Sequence, residues 1–280
     1  KSDDEAKAGE NFGKIAVSTL LPESVGMSLD GTREITNLFD GKIFSFPKPS
    51  SLISFFCKIC NDKDALILDF FSGSATTAHA VMKLNAEDGG KRRFIMVQLP
   101  EVTDEKSEAR KAGYANICEI GKERIRRAGK KIREEVGQAA DGLDTGFRVL
   151  KLDTSNMEDV FYTPDKFEPS LLDSLVDNIK ADRSGEDLLF QVMLDLGIEL
   201  SAKIERKEVA GKEVFSVDDD YLLACFDTDV NETTIEEMAK LLPTHLVIRD
   251  ASAANDNVLD NFDQIIESYS NEKKITTHIL

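Results

Sequence analysis

Hydrophobic residues form two short unbroken runs early in the chain, "ALILDFF" at 65–71 and "FIMVQL" at 94–99. Continuous apolar strands are typical of a parallel sheet that is covered on both faces. The segment between them, "TTAHAVMKLNAED", is expected to be a helix that ends at Gly89 and Gly90. Strand, helix and strand in this order predict a βαβ unit with a right-handed crossover.

The segments around this unit are less uniform. Residues 1–40 are polar and contain Pro22, Gly26 and Gly31, which indicates a loose lead-in. "FSFPKPSSLISFFCKIC" then enters a helix, for which Ser50 or Ser51 is the candidate N-cap. A long helix is predicted for "NICEIGKERIRRAGKKIREEV", and a further strand for 147–153.

The second half of the chain has its own pattern of elements. Residues 154–185 are mixed in character and are predicted to connect two domains, 41–153 and 186–280. A helix ending at Gly197 and a hairpin turning at Gly211 are followed by a strand–helix–strand–helix–strand pattern. The expected fold class is therefore α/β, with a smaller C-terminal α/β domain.

Composition excludes several classes of protein. The chain is 41% hydrophobic, and its longest apolar runs are far below the roughly 20 residues that a membrane helix requires. Cys57 and Cys60 form one CxxC pair without a second pair, so buried thiols are expected rather than a metal site. Reduced cysteines are typical of a cytoplasmic protein. The polar first residues, which lack Met, suggest a piece of a longer protein.

Charge is distributed unevenly along the chain. Residues 1–150 hold 23 Lys and Arg against 23 Asp and Glu, whereas residues 151–280 hold 12 against 29. The second half would therefore repel a phosphate backbone. Seven cations crowd the predicted long helix, where interleaved glutamates favour a solvated or intersubunit face over contact with DNA. These cations are Lys122, Arg124, Arg126, Arg127, Lys130, Lys131 and Arg133. The three histidines, His79, His245 and His278, are isolated from one another in sequence and are expected to be packing or surface residues.

The candidate site is the turn after the first predicted strand. Asp69 ends that strand and Gly73 follows it, at the sheet edge where α/β proteins bind ligands. The turn has no Lys, which excludes a phosphate-binding P-loop, and one glycine is a poor match to the dinucleotide fingerprint. An S-adenosylmethionine loop and a purely structural turn remain open.

Specific motifs then indicate a family. "DFFSGSATT" resembles motif I of the amino-methyltransferases that act on DNA, D-x-F-x-G-S-G-T-T, with Ala75 where glycine is common. "FPKP" at 46–49 resembles motif X, and "RRFIMVQLPE" resembles the strand whose end contacts the cofactor ribose. From about residue 18 to the end, the chain resembles the modification subunit of type III restriction-modification systems.

The resemblance implies a Rossmann-like half-domain that binds S-adenosylmethionine and takes part in adenine-N6 methylation of DNA. It implies that Asp69 meets the methionine amino group, Phe71 packs on the cofactor, Thr76 lies near the carboxylate, and Gln98 or Glu101 contacts the ribose. The full set of implied cofactor contacts is Lys48, Pro49, Asp69, Phe71, Ser72, Gly73, Ser74, Thr76, Gln98 and Glu101. The implied partners are DNA, a restriction subunit and a second copy of the full-length protein.

One family motif is missing from the chain. These enzymes hold the flipped adenine with a [D/N/S]-P-P-[Y/F/W] tetrapeptide, whereas the seven prolines here include no adjacent pair. The resemblance therefore implies a C-terminal portion that has no catalytic residues of its own and is inactive alone. The alternative is an assembly module that dimerises and docks the restriction subunit, with the Rossmann-like half serving as a scaffold.

Overall fold

The structure is a computed structural model that describes residues 20–137, 142–158, 179–249, 256–269 and 274–280. The chain divides into two compact units, residues 1–147 and 148–280. Both combine helices with strands, so the mixed α/β class is confirmed. Among the described residues, no helix is both long and apolar enough to cross a membrane.

The first unit contains the predicted strand–helix–strand segment. Its elements are α1 Ser28–Phe39, α2 Ser50–Cys60, β1 Leu66–Phe70, α3 Thr76–Asp88, β2 Arg93–Val97, α4 Glu108–Lys111 and α5 Ile117–Val136. β1 and β2 pair in parallel, with Asp69 opposite Met96 and Phe70 opposite Val97. Both strands therefore end at the same edge, as the prediction requires.

Within the part of the chain that the structure describes, the two strands are covered on one face only. Phe94 and Met96 pack against a core that includes Met82 from α3 and Ile125 from α5. Side chains on the opposite face are largely exposed, 54% for Leu66, 55% for Leu68 and 66% for Phe70 on β1, and 47% for Ile95 and 43% for Val97 on β2. The prediction of strands covered on both faces is therefore wrong for the described part of the chain, where one helical layer packs on alternate residues.

The expected loose lead-in is also wrong for residues 28–39, which form α1. Ile35 and Phe39 are buried against Ile120 of α5, so this helix belongs to the core of the unit. Gly31, taken from sequence as a break, lies inside α1. A methyl group on Gly31 would lie 2.3 Å from the Pro47 carbonyl oxygen, so the glycine permits close packing there. Residues 1–19 lie outside the described residues.

Three local predictions need correction. Pro49, rather than Ser50 or Ser51, occupies the N-cap position of α2, because the Ser50 hydroxyl bonds to Glu34 instead. Cys57 is buried as expected, but Cys60, the last residue of α2, is exposed. Residues 147–153 form no strand, because no described strand pairs with them.

The second unit confirms the predicted order of its elements. These are α6 Gly185–Asp195, β3 Ile204–Val209, β4 Lys212–Val217, β5 Leu222–Cys225, α7 Glu232–Ala239, β6 His245–Ile248, α8 Asp256–Tyr269 and β7 Thr276–Ile279. The sheet order follows the chain from β3 to β7. The hairpin β3–β4 turns at Gly211, and β5, β6 and β7 are parallel.

The described ends of the predicted connector belong to the second unit. Met157 forms an antiparallel bridge with Ile179, and both contribute to a core cluster that includes Leu189 and Phe215. The compact units divide at residues 147 and 148. Residues 159–178 of the connector lie outside the described residues.

Candidate functional site

The turn that joins β1 to α3 lies where both parallel strands end. The Ser72 N–H donates to the Val97 carbonyl oxygen at 3.0 Å. The Gly73 N–H donates to the Gln98 Oε1 at 2.7 Å. Gly73 has a positive φ of 53°, which a glycine adopts without strain. The end of β2 therefore holds the backbone of the turn in place.

Ala75 departs from the family motif in a way that affects the backbone. Its φ is 60°, in the left-handed region, where a residue with a Cβ costs about 1–2 kcal/mol relative to the right-handed conformation. The side chain is buried, 2% exposed, and packs in the core formed by α3 and α5. The residue at position 75 must therefore be small and must also adopt a left-handed backbone conformation.

Asp69 and Phe71 flank the turn and differ in exposure. Asp69 is partly buried, and its Oδ2 accepts a hydrogen bond of 2.5 Å from the Thr77 hydroxyl. Because Thr77 is in the first turn of α3, this bond orients the carboxylate toward the helix N-terminus. The Phe71 side chain is 62% exposed. The turn therefore offers a fixed carboxylate and an accessible aromatic ring.

The segment that resembles motif X lies against the turn. The Thr76 hydroxyl donates to the Lys48 carbonyl oxygen at 3.3 Å. Lys48 is exposed, whereas Pro49 is buried. The structure thus brings together two segments that the sequence separates by more than 20 residues. The lysine side chain of the first segment is exposed to solvent.

Two predicted contacts within the turn, Ser74 and Thr76, are buried, and both accept hydrogen bonds from a side chain that the sequence did not place in the site. Arg124 donates from Nη1 to the Ser74 hydroxyl at 2.8 Å and to the Thr76 hydroxyl at 2.6 Å. Its side chain is fully buried, although the sequence predicted a solvated or intersubunit face for the cations of this helix. Burial lowers the pKa of Arg124 to about 10, and the Glu34 carboxylate opposes this effect.

Helical spacing could have identified Arg124. Ile120 and Ala128 precede and follow it by four residues, and all three lie on the buried face of α5. Other cations of this helix are paired as expected, since Arg127 Nε contacts the Glu123 carboxylate at 2.8 Å.

The two candidates for a ribose contact occupy different positions. Gln98 bonds to the turn through its amide oxygen, as described above, and its Nε2 donates to the Leu99 carbonyl oxygen at 3.1 Å. Glu101 is exposed, and its carbonyl oxygen accepts from the Ile117 N–H at the start of α5. Gln98 is therefore the one whose side chain touches the turn.

The histidines are less isolated than their sequence positions indicate. His245 Nδ1 and His278 Nε2 lie 3.0 Å apart on the neighbouring strands β6 and β7. Burial, together with the nearby His278, lowers the pKa of His245.

Part of the chain is similar to known proteins that modify DNA. The family model described as DNA methylase matches residues 7–130. The StyLTI Mod subunit of a type III restriction-modification enzyme, from Salmonella typhimurium, is 42% identical over 136 residues, 49% of this chain and 21% of that protein.

Two further relatives agree with these matches. The EcoPI Mod subunit of Escherichia phage P1, also a type III enzyme subunit, is 44% identical over 119 residues, 42% of this chain and 18% of that protein. The type II methyltransferase M.KpnI of Klebsiella pneumoniae is 39% identical over 107 residues, 38% of this chain and 26% of that protein. The matched part spans about a fifth to a quarter of each relative. Over residues 7–130 the chain is thus similar to the DNA methylase family, and part of the chain is similar to the Mod subunits of type III restriction-modification enzymes.

Proposed function

We propose that the first unit is the S-adenosylmethionine-binding part of a Rossmann-like DNA adenine-N6 methyltransferase. The observation that carries this proposal is the position of the turn 71–76. It lies at the carboxyl ends of two parallel strands, beside the segment 46–49 that resembles motif X. Ligands of open α/β sheets bind at this edge.

The side chains around the turn fit the chemistry of this methyl donor. Asp69 is a carboxylate that suits the methionine ammonium group, and Lys48 is an exposed cation that suits the methionine carboxylate. Phe71 is an exposed aromatic ring available to the adenosine part. The Gln98 side chain accepts a hydrogen bond from the Gly73 N–H. We therefore assign it a role in holding the turn in place, in addition to the implied ribose contact.

The reaction of such an enzyme transfers a methyl group from the sulfonium sulfur to the exocyclic amine of adenine. A carbon–nitrogen bond forms, a carbon–sulfur bond breaks, and the amine loses one proton. The target base must first leave the duplex. Positioning supplies most of the rate in a transfer of this kind. Residues 71–76 would hold the donor, and a [D/N/S]-P-P-[Y/F/W] tetrapeptide would hold the acceptor.

We infer that the 280-residue chain does not methylate DNA by itself, because it contains no Pro-Pro-aromatic tetrapeptide. The uncovered face of β1 and β2 supports this inference. Its five large apolar side chains are 43–66% exposed, and apolar surface of this extent is typical of a face that another layer covers. In the type III relatives, the Mod subunit is one part of a larger restriction-modification enzyme. We therefore propose a restriction subunit and DNA as the partners of the complete protein.

The first prediction is that the chain binds the methyl donor without transferring it. Titration calorimetry with S-adenosylmethionine should detect binding, and tritiated donor incubated with duplex DNA should leave no label on adenine. Failure of the folded chain to bind donor at millimolar concentration would contradict a self-sufficient cofactor site. Label on adenine would contradict the inactivity of the isolated chain.

The second prediction concerns the carboxylate of the turn. Asp69→Asn keeps the size of the side chain but removes its charge, and a hydrogen bond to a charged group contributes about 1.5–3 kcal/mol. We expect affinity for S-adenosylmethionine to fall roughly 10- to 100-fold in calorimetry. Asp64→Asn is the matched control, because residue 64 precedes the same strand at its opposite end and should leave affinity unchanged. Equal affinities for the two variants would show that the Asp69 carboxylate does not contribute to donor binding.

The alternative, an assembly module with the first unit as scaffold, is favoured by the same uncovered apolar face. Light scattering of the Asp69→Asn variant distinguishes the two roles. If self-association persists while donor binding disappears, assembly and cofactor binding use separate surfaces of the chain.

A further inference from the structure

We propose that the ion pair between the buried Arg124 and the partly buried Glu34 positions the two segments of the cofactor site, since it sets the spacing between the turn 71–76 and the segment 46–50. The inference rests on the proposed function and adds two residues to it. Neither residue belongs to the turn or to the segment. Arg124 lies on α5 and Glu34 lies on α1.

Arg124 links the ion pair to the turn. Its Nη1 donates to the hydroxyls of Ser74 and Thr76, at 2.8 and 2.6 Å, and its Nη2 lies 3.3 Å from Glu34 Oε2. α5 also approaches the turn closely, because a methyl group on Gly121 would lie 3.6 Å from the Gly73 carbonyl oxygen. One planar guanidinium thus fixes two turn residues against α1.

Glu34 links the ion pair to the other segment. Its Oε2 accepts from the Ser50 N–H at 3.0 Å, and its Oε1 accepts from the Ser50 hydroxyl at 2.5 Å. Thr76 completes the connection by donating to the Lys48 carbonyl oxygen. Movement of the ion pair would therefore displace the turn and the Lys48–Ser50 segment together.

This arrangement changes the role implied for Thr76. Its hydroxyl accepts from Arg124 and donates to Lys48, so both capacities are used within the protein. The side chain is only 6% exposed. We therefore assign Thr76 to positioning, and leave the donor carboxylate to groups such as Lys48 that solvent reaches.

Stability alone does not account for an arginine at this position. Removing a guanidinium from water is costly, and apolar residues of similar volume often replace buried ion pairs without loss of stability. What apolar residues cannot supply is directed bonding to three acceptors, two in the turn and one on α1. The fork of Arg124 supplies it, and lysine, which presents its donors from a single nitrogen, does not reproduce it.

The experiment compares Arg124→Lys with Arg92→Met. Arg92 is a suitable control because its side chain is also buried, 3% exposed, and paired with Asp88, but it lies just before β2, at the end of that strand opposite to the turn. Nitrogen-15 spectra of each variant report the amide shifts of Gly73 and Ser50, and calorimetry reports affinity for S-adenosylmethionine.

We expect Arg124→Lys to move both amide shifts and to weaken donor binding at least tenfold. Arg92→Met should leave both shifts in place and affinity within about twofold at a temperature where it is folded. Unchanged shifts in Arg124→Lys, or a shift of only one amide, would overturn the inference. If the wild-type chain binds no donor, the proposed cofactor site fails, while the paired shifts still decide whether Arg124 couples the two segments. Should Arg124→Lys not fold, Glu34→Gln tests the same coupling from α1, with the same two amides as the readout.

Discussion

Gly31→Ala is expected to destabilise the first unit by about 2 kcal/mol, although alanine is the better helix former by about 1 kcal/mol. The added methyl group would lie 2.3 Å from the Pro47 carbonyl oxygen and 2.8 Å from the Pro49 nitrogen. Both contacts are backbone atoms that cannot rotate away, so α1 must move. Overpacking of this kind costs about 1–3 kcal/mol or more, and here it exceeds the gain in helix propensity.

Gly121→Ala is the matched control, since it is the same substitution inside a helix of the same unit. Its methyl group would meet the Ala75 Cβ at 3.5 Å, which is ordinary contact. We expect it to raise the free energy of unfolding by up to about 1 kcal/mol. Amide hydrogen exchange in α3 and α5 measures the first unit separately from the second. Equal stabilities of the two variants would contradict the close packing of α1 on residues 47–49.

His79 is expected to destabilise the first unit at acid pH. Burial lowers its pKa to about 3, and the charges of Arg124, Lys83 and Lys131 add to this effect. Its Nδ1 is buried without a hydrogen-bond partner among the described residues. The pKa in the unfolded chain is about 6.5. The folded state therefore keeps the imidazole neutral where the unfolded state binds a proton.

The direction of the pH dependence follows from the lowered pKa. Stability is fully present above pH 6.5 and falls as pH decreases toward the folded pKa of about 3. Between pH 7.5 and pH 5 the loss is about 2 kcal/mol, from 1.36 kcal/mol per pH unit. Asp30 and Glu34 of α1 line the same cavity, together with Arg33 and Lys131. The carboxylates of Asp30 and Glu34 would favour the charged imidazole and so reduce this loss of stability.

The measurement compares hydrogen exchange of α3 in the wild-type chain and in His79→Gln at both pH values. Glutamine is neutral at both, so the variant should lose about 2 kcal/mol less than the wild-type chain on acidification. Carboxylates elsewhere contribute equally to both proteins and cancel in the difference. Identical pH dependence of the two would show that His79 is not held neutral by its surroundings.

Local patterns predicted many of the elements correctly. The strand at 65–71 and the helix that follows it could be predicted from their own residues, because strand and helix preferences depend on neighbouring residues. α5 and the β3–β4 hairpin were predictable for the same reason. Residues 147–153 and α1 were not, because a strand needs a partner strand and a short polar helix needs a surface to pack on.

The residues of the candidate site also fall into two groups, those that short motifs indicate and those that only folding brings together. Asp69, Gly73 and the "FPKP" segment could be proposed from the sequence, because motifs consist of residues adjacent in sequence. Arg124 and Glu34, which lie 90 residues apart, were not, since a charged residue on a basic helix is usually solvated. Ala75 was identified by size, whereas its left-handed backbone is visible only in the folded turn.

The sequence by itself determined the order of strands and helices in the second unit, the position of the turn that we propose as the methyl-donor site, and the absence of a Pro-Pro-aromatic tetrapeptide from these 280 residues. Only the tertiary structure decided which face of β1 and β2 is covered, that Gly31 admits the Pro47–Pro49 segment, and that Arg124 is buried beneath the turn. The physical reason is that backbone preferences act over a few residues, whereas burial and ion pairing depend on segments that only folding brings together.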